Sequence, residues 1–173
     1  MGVWAHSDGA GAMVVGVGDA DASRARYVGG SFTGDASWNG HVRVAHGGTR
    51  SAQAPPGSDP TRRIVSGRPR SEVYAHYLAG YEKVIGEIVP RSSAGIGHVV
   101  CNQASPRMLE RVAEMAGVAS DKVVRSGTEH GHVGSADIAI GLSRVWAEGR
   151  PSGDVLMVGS TSYGFGAGLW VVS

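Results

Sequence analysis

Residues 99–140 read VVCNQASPRMLERVAEMAGVASDKVVRSGTEHGHVGSADIAI, and the alternation of apolar and polar groups in this stretch decides the fold class. The apolar run Val99-Val100-Cys101 stops at the polar group Asn102-Gln103-Ala104-Ser105. Ser105 is a helix N-cap residue and Pro106 suits the first helical position. Met108, Val112 and Met115 then recur on one helical face, which marks them as core, and the pattern ends at Ala116-Gly117. A short β-rich piece, Lys122-Val123-Val124, precedes His130 and His132 in a glycine-bracketed turn. A second helical pattern opens at Gly134 or Ser135 and carries Ile138, Leu142 and Val145 on one stripe up to Trp146. Polar groups therefore gather where a strand ends and where a helix begins, which is where α/β sheets carry ligands.

Outward from this stretch, Ile96–Cys101 reads as a strand, and Val155–Val158 reads as a buried one. Residues 159–166 read as a glycine-bearing loop, and Leu169–Val172 as the last strand. Residues 71–90 form a helix that starts at Pro69-Ser71-Glu72 and ends at Pro90. Gly47 to Arg70, with Pro55, Pro56 and Pro60, reads as a surface loop. Its arginines, Arg50, Arg62, Arg63, Arg68 and Arg70, form either a solvated loop or a basic rim for phosphate-bearing acyl donors. Residues 26–34 and 13–18 read as two further strands, the latter leaving the turn Ser7-Asp8-Gly9-Ala10-Gly11-Ala12. The run β-α-β-α-β-β is an α/β unit.

A chain of 173 residues suits one domain with a substantial core. The formal net charge of +1 makes no electrostatic case for nucleic acid or a membrane surface. A single cysteine excludes an internal disulfide and a cysteine-based zinc site. No apolar run long enough for a membrane span and no signal-peptide pattern occurs, so a cytoplasmic location is expected. His130 and His132 lack a third ligand at matching spacing, so no metal is expected. The glycines at 9, 11, 16 and 18 fit no dinucleotide or phosphate-loop spacing.

Asn102–Ser105 and Gly131-His132-Val133-Gly134-Ser135-Ala136-Asp137 together resemble the C-terminal half of β-ketoacyl-acyl-carrier-protein synthase III, of the thiolase superfamily. That family has His-Gln-Ala-Asn at the strand end and Gly-Asn-Thr-Ser-Ala-Ala-Ser at the helix start. The spacing is kept here and the catalytic letters are changed. The glycine turn at 7–12 resembles the family's Gly-Asp-Gly-Ala-Gly-Ala turn. The resemblance implies a thiolase-like C-terminal half, with a five-stranded mixed sheet and helices on both faces. It assigns residues 1–46 to terminal strands of the N-terminal half, 47–70 to a linker and 71–173 to the C-terminal domain. It also implies that the nucleophilic cysteine lies in a half not contained in this sequence.

The family's histidine and asparagine hold charge that develops on a substrate oxygen. Asn102 stands at the histidine position and His132 at the asparagine position. Either the two donors have exchanged places in a working site, or the usual condensation is lost. Gly164 matches a glycine whose backbone N–H contributes to the oxyanion hole, and Arg107 matches an arginine at the pantetheine tunnel mouth. Asp137 replaces a family serine and either starts the helix or orients His132. Cys101 reads as a buried strand residue rather than a nucleophile. The activity implied is an acyltransferase of the synthase III type, acting in fatty acid or polyketide-type biosynthesis. Coenzyme A or phosphopantetheine thioesters serve as substrates, and no cofactor is permanently bound. Acyl-CoA or an acyl carrier protein is the implied partner, with a homo- or hetero-oligomer of thiolase-fold chains. The alternatives are a non-catalytic partner subunit of an active ketosynthase and an inactive truncated product.

Overall fold

The computed structural model describes residues 6–18, 24–44, 46, 52–57, 64–149 and 151–172. Its strands are β1 (Ala25–Gly34), β2 (Val42–Val44), β3 (Ile64–Ser66), β4 (Ile96–Cys101), β5 (Asp154–Ser160) and β6 (Gly164–Val172). Its helices are α1 (Arg70–Ile88), α2 (Pro106–Ala116), α3 (Gly127–His130) and α4 (Ala136–Ala147). The main sheet has the order β1-β6-β5-β4, with β2 and β3 pairing as a separate antiparallel ribbon. β4 and β5 are parallel, while β5 with β6 and β6 with β1 are antiparallel.

The runs Val99–Cys101 of β4 and Val155–Val158 of β5 are continuously apolar because both faces of the sheet are covered there. Successive side chains point to opposite faces. Val99, Cys101, Leu156 and Val158 meet Tyr81 and Ile85 of α1 and Leu109 and Val112 of α2. Val100 and Val155 face the other way, against Leu142 and Val145 of α4. Helix α2 has the predicted start: Ser105 Oγ accepts the Met108 N–H at 3.2 Å, and Pro106 follows it.

Five features differ from the sequence reading. Residues 13–18 are exposed chain without strand structure, since no sheet edge lies beside them among the described residues. Among the described residues the sheet has four strands rather than five: of the 122–124 piece, Lys122 ends the 3-10 turn Ser120–Lys122 and Val123 makes only an isolated parallel bridge to Val99. The 159–166 loop shrinks to a tight hairpin, with Ser160 still in β5 and Gly164 already in β6. Part of the 47–70 linker is strand β3, which takes its hydrogen bonds from β2. Helix α1 starts one residue early, after Pro69, without a side-chain cap. Strand β1 is hydrogen-bonded to β6, at one edge of the main sheet. Arg50, Arg62, Arg63 and Pro60 lie outside the described residues. Arg68 stacks on the Trp38 ring, 4.2 Å from its centroid, and donates to the Ser37 carbonyl, so it braces the fold locally. No helix among the described residues is long and apolar enough to cross a membrane.

Candidate functional site at the carboxyl ends of two parallel strands

Strands β4 and β5 both end at the same edge of the sheet, and helices α2 and α4 begin there. Asn102, the residue after β4, bridges three elements. Its Oδ1 accepts the Ser160 N–H at 2.7 Å, and its Nδ2 donates to the Gly134 carbonyl at 3.1 Å. The Ser160 hydroxyl in turn shares a 2.7 Å hydrogen bond with the buried Tyr81 hydroxyl of α1. Gln103 is a buried clamp: its Nε2 donates to the carbonyls of Cys101 and Val124, and its Oε1 accepts the Gly127 N–H. These bonds satisfy backbone groups freed where the ladder ends.

His132 sits between Gly131 and Gly134, both at positive φ (71° and 65°), a conformation open to glycine without strain. This double turn brings the imidazole back over the start of α4. Its Nδ1 lies 2.5 Å from Asp137 Oδ2. The Asp137 carboxylate is wholly buried and also accepts the N–H groups of Gln103 at 2.8 Å and Val133 at 2.9 Å. The residue 6–7 segment covers the turn: Ser7 N–H donates to the His132 carbonyl at 3.0 Å, and the His6 ring lies 5.2 Å from the His132 ring. Asn102 and His132 therefore belong to one network, joined through Gly134 on one side and through Gln103 and Asp137 on the other.

Gly164 opens β6 in the hairpin whose first arm ends at Ser160, and its carbonyl accepts the Thr161 N–H at 2.7 Å. Arg107 is exposed in the first turn of α2, with its guanidinium 4.9 Å from the centroid of the Tyr74 ring. Cys101 is buried beneath the site. Burial, aided by the Asp137 charge, pushes its thiol up to about 12, so it carries no thiolate near neutral pH. Burial likewise raises the Tyr81 hydroxyl well above its ordinary value. His130 and His132 part company, the first facing Arg144 and the second Asp137. Among the described residues no group of three His, Cys, Asp or Glu side chains is placed to hold a metal ion. Ser160 and Tyr81 were not among the residues singled out from sequence. A serine ending a buried strand is the only signal that pointed to Ser160, and it is a weak one.

Residues 91–173 match the family described as 3-oxoacyl-[acyl-carrier-protein] synthase III, C terminal. The β-ketoacyl-[acyl-carrier-protein] synthase III of Thermosynechococcus vestitus is 30% identical over 172 residues, covering 94% of this chain and 48% of that protein. The same enzyme of Microcystis aeruginosa is 29% identical over 171 residues, with the same coverage of 94% and 48%. The chain thus spans about half the length of the curated relatives it matches. Among solved structures, 3-oxoacyl-(acyl carrier protein) synthase III of Pseudomonas aeruginosa superposes with a TM-score of 0.66 at 17% identity, over 90% of this chain and 46% of that one. The Aquifex aeolicus synthase III superposes with a TM-score of 0.64 at 17% identity, over 87% and 46%. With the motif spacing, the sheet order and these likenesses together, the chain is similar to the C-terminal half of the 3-oxoacyl-[acyl-carrier-protein] synthase III proteins, on a thiolase-like fold with altered polar motifs.

Proposed function

We propose that this chain supplies the C-terminal part of a synthase III-like acyltransferase that handles acyl-CoA or acyl-carrier-protein thioesters in fatty acid or polyketide-type biosynthesis. The observation that carries this reading is the shared network of Asn102 and His132, one amide and one imidazole, at the strand end and helix start. In this reading His132 faces the reacting carbonyl, Asn102 shapes the pocket beside it, and the Gly164 backbone N–H serves the oxyanion. Arg107 meets the phosphates or pantetheine arm of the donor. Coenzyme A or phosphopantetheine enters only as the substrate's thioester, with no resident cofactor.

The only thiol of this chain is Cys101, and it is buried with its proton held. An acyl-bearing cysteine therefore comes from polypeptide outside these 173 residues. The exposed side chains of Met13, Val14, Val15 and Val17 support contact with a thiolase-fold half, in a homo- or hetero-oligomer. A cytoplasmic setting belongs to the same reading.

The test is calorimetric titration with acetyl-CoA, on the chain purified with any polypeptide that co-elutes. Saturable binding is expected, and Arg107→Ala should weaken it about tenfold, equivalent to ~1.4 kcal/mol. Absence of binding to acetyl-CoA, to longer acyl-CoA and to acyl carrier protein would leave the non-catalytic partner role as the better reading.

A further inference from the structure

We propose that His132 and Asp137 form a general-base pair, and that the acyl acceptor at this site is a hydroxyl or amine rather than a carbanion. This rests on the thioester reading above and assigns its acceptor.

The geometry of Asp137 carries the inference. Backbone N–H groups can only donate, so a carboxylate that receives two of them is held as an acceptor. Its Oδ2 therefore accepts from His132 Nδ1–H as well. That bond fixes the imidazole as the Nδ1–H tautomer, and the lone pair resides on Nε2. No described residue hydrogen-bonds Nε2, and the His132 side chain is 23% exposed rather than closed into the core. A base oriented by a buried third group is the arrangement that activates weak nucleophiles.

A purely local role for Asp137 does not account for these bonds. An acidic residue that merely starts a helix accepts from the helix's own first N–H groups. Asp137 accepts instead from Gln103, after strand β4, and from Val133, before the helix. Both lie outside α4. The carboxylate is directed at the strand end and at the imidazole.

Asn102 points the same way. Condensation with a decarboxylating malonyl thioester needs two neutral donors on one oxygen and no base. Here Asn102 Oδ1 is tied to Ser160 N–H and its Nδ2 to the Gly134 carbonyl, and the side chain is buried. Both ends of the Asn102 amide are thus engaged, whereas the imidazole keeps a ring nitrogen that no described residue hydrogen-bonds.

The step balances without oxidant, reductant or loss of carbon dioxide. The acceptor oxygen or nitrogen attacks the thioester carbonyl carbon as His132 Nε2 takes its proton. The new C–O or C–N bond forms and the C–S bond breaks. The departing thiolate then takes the proton from Nε2, giving an ester or amide and a free thiol.

The experiment uses the chain with any co-eluting polypeptide, acetyl-CoA as donor and ethanolamine as a probe bearing both a hydroxyl and an amine. Free CoA is followed with a thiol reagent and acetylated ethanolamine by mass spectrometry. Carboxyl-labelled malonyl-CoA is run in parallel for released carbon dioxide. The expected result is ethanolamine-dependent CoA release without decarboxylation. His132→Ala should lower kcat about 100-fold, within the usual range for loss of a general base. Added imidazole should restore part of it. Asp137→Asn should lower kcat with the KM for acetyl-CoA unchanged, and Asp137→Glu should recover part of the loss. Should Asp137→Asn fail to fold, the imidazole rescue of His132→Ala decides. Decarboxylation with carbon–carbon bond formation and no ethanolamine product would overturn this inference while leaving the thioester reading intact. Failure to bind any acyl thioester in the calorimetric titration would overturn both.

Discussion

Cys101 shows how one residue's surroundings override its chemistry. It ends strand β4 at the edge where the site lies, and it is the only thiol in the chain. Its side chain nevertheless points into the layer formed with Leu109, Val112 and Val158. Burial is the first cause of its raised thiol pKa, and the nearby Asp137 carboxylate is the second. The native protein should therefore resist iodoacetamide at about pH 8, where an exposed cysteine reacts readily. Alkylation should be complete in guanidinium, with mass spectrometry counting the adducts. Rapid modification of the native chain would mean that Cys101 is accessible and that its exclusion as a nucleophile is wrong.

At the scale of elements, helix α1 offers an internal control. Gly80 and Gly86 lie on the same helix, and Ala is favoured over Gly in a helix interior by about 1 kcal/mol. Around Gly86 nothing lies within 4 Å of an added Cβ, so Gly86→Ala should raise Tm by roughly that contribution. At Gly80 the same methyl would sit 2.3 Å from the Phe165 ring. That ring packs edge-on against Tyr77 and Tyr81 and has little room to turn. Overpacking costs about 1–3 kcal/mol, which exceeds the propensity gain, so Gly80→Ala should lower Tm. Thermal melts of the two variants read the contrast directly. Equal shifts would show that α1 does not press on β6 as described.

The molecule as a whole should lose stability in mild acid because of two histidines. Burial depresses the pKa of His76, which stacks on Trp38 at 3.8 Å between centroids, and of His98 on strand β4. Nδ1 of His98 and Nε2 of His76 are buried without a hydrogen-bond partner. A depressed histidine pKa means that the unfolded chain binds more protons than the folded one just below its ordinary value of 6.5. Stability therefore rises with pH through that window and falls as pH drops below it. The lowered carboxyl of Asp35, held down first by its hydrogen bonds to Ser37, acts in the same sense but only in the carboxylate range. Tm should fall between about pH 7 and pH 5, and His76→Phe, which keeps the stack, should flatten the slope. A flat profile in the wild-type chain would show that these imidazoles are as solvated folded as unfolded.

The elements built from short-range patterns were legible in the sequence: the capped start of α2 at Ser105-Pro106, the apolar strands at 96–101 and 155–158, and the stripe of α4. Each depends on residues a few positions apart, where backbone preference and apolar spacing act together. The kept spacing of the two polar motifs carried the resemblance to the synthase III C-terminal region as well. The strand expected at 13–18 has the apolar composition of a strand, yet strand structure requires a hydrogen-bonding neighbour, which local sequence does not specify. The 122–124 piece retained one bridge for the same reason. In the site, the residue types were visible beforehand, but not their bonds. Asn102 looked like a free amide until Ser160, 58 positions away, and Gly134 took up its two ends. Asp137 could be either a helix-start charge or the partner of His132 on sequence alone. The tertiary structure decided between them, because the N–H groups that hold its carboxylate come from the end of β4 and from the turn before α4, brought together only when the helix packs on the sheet.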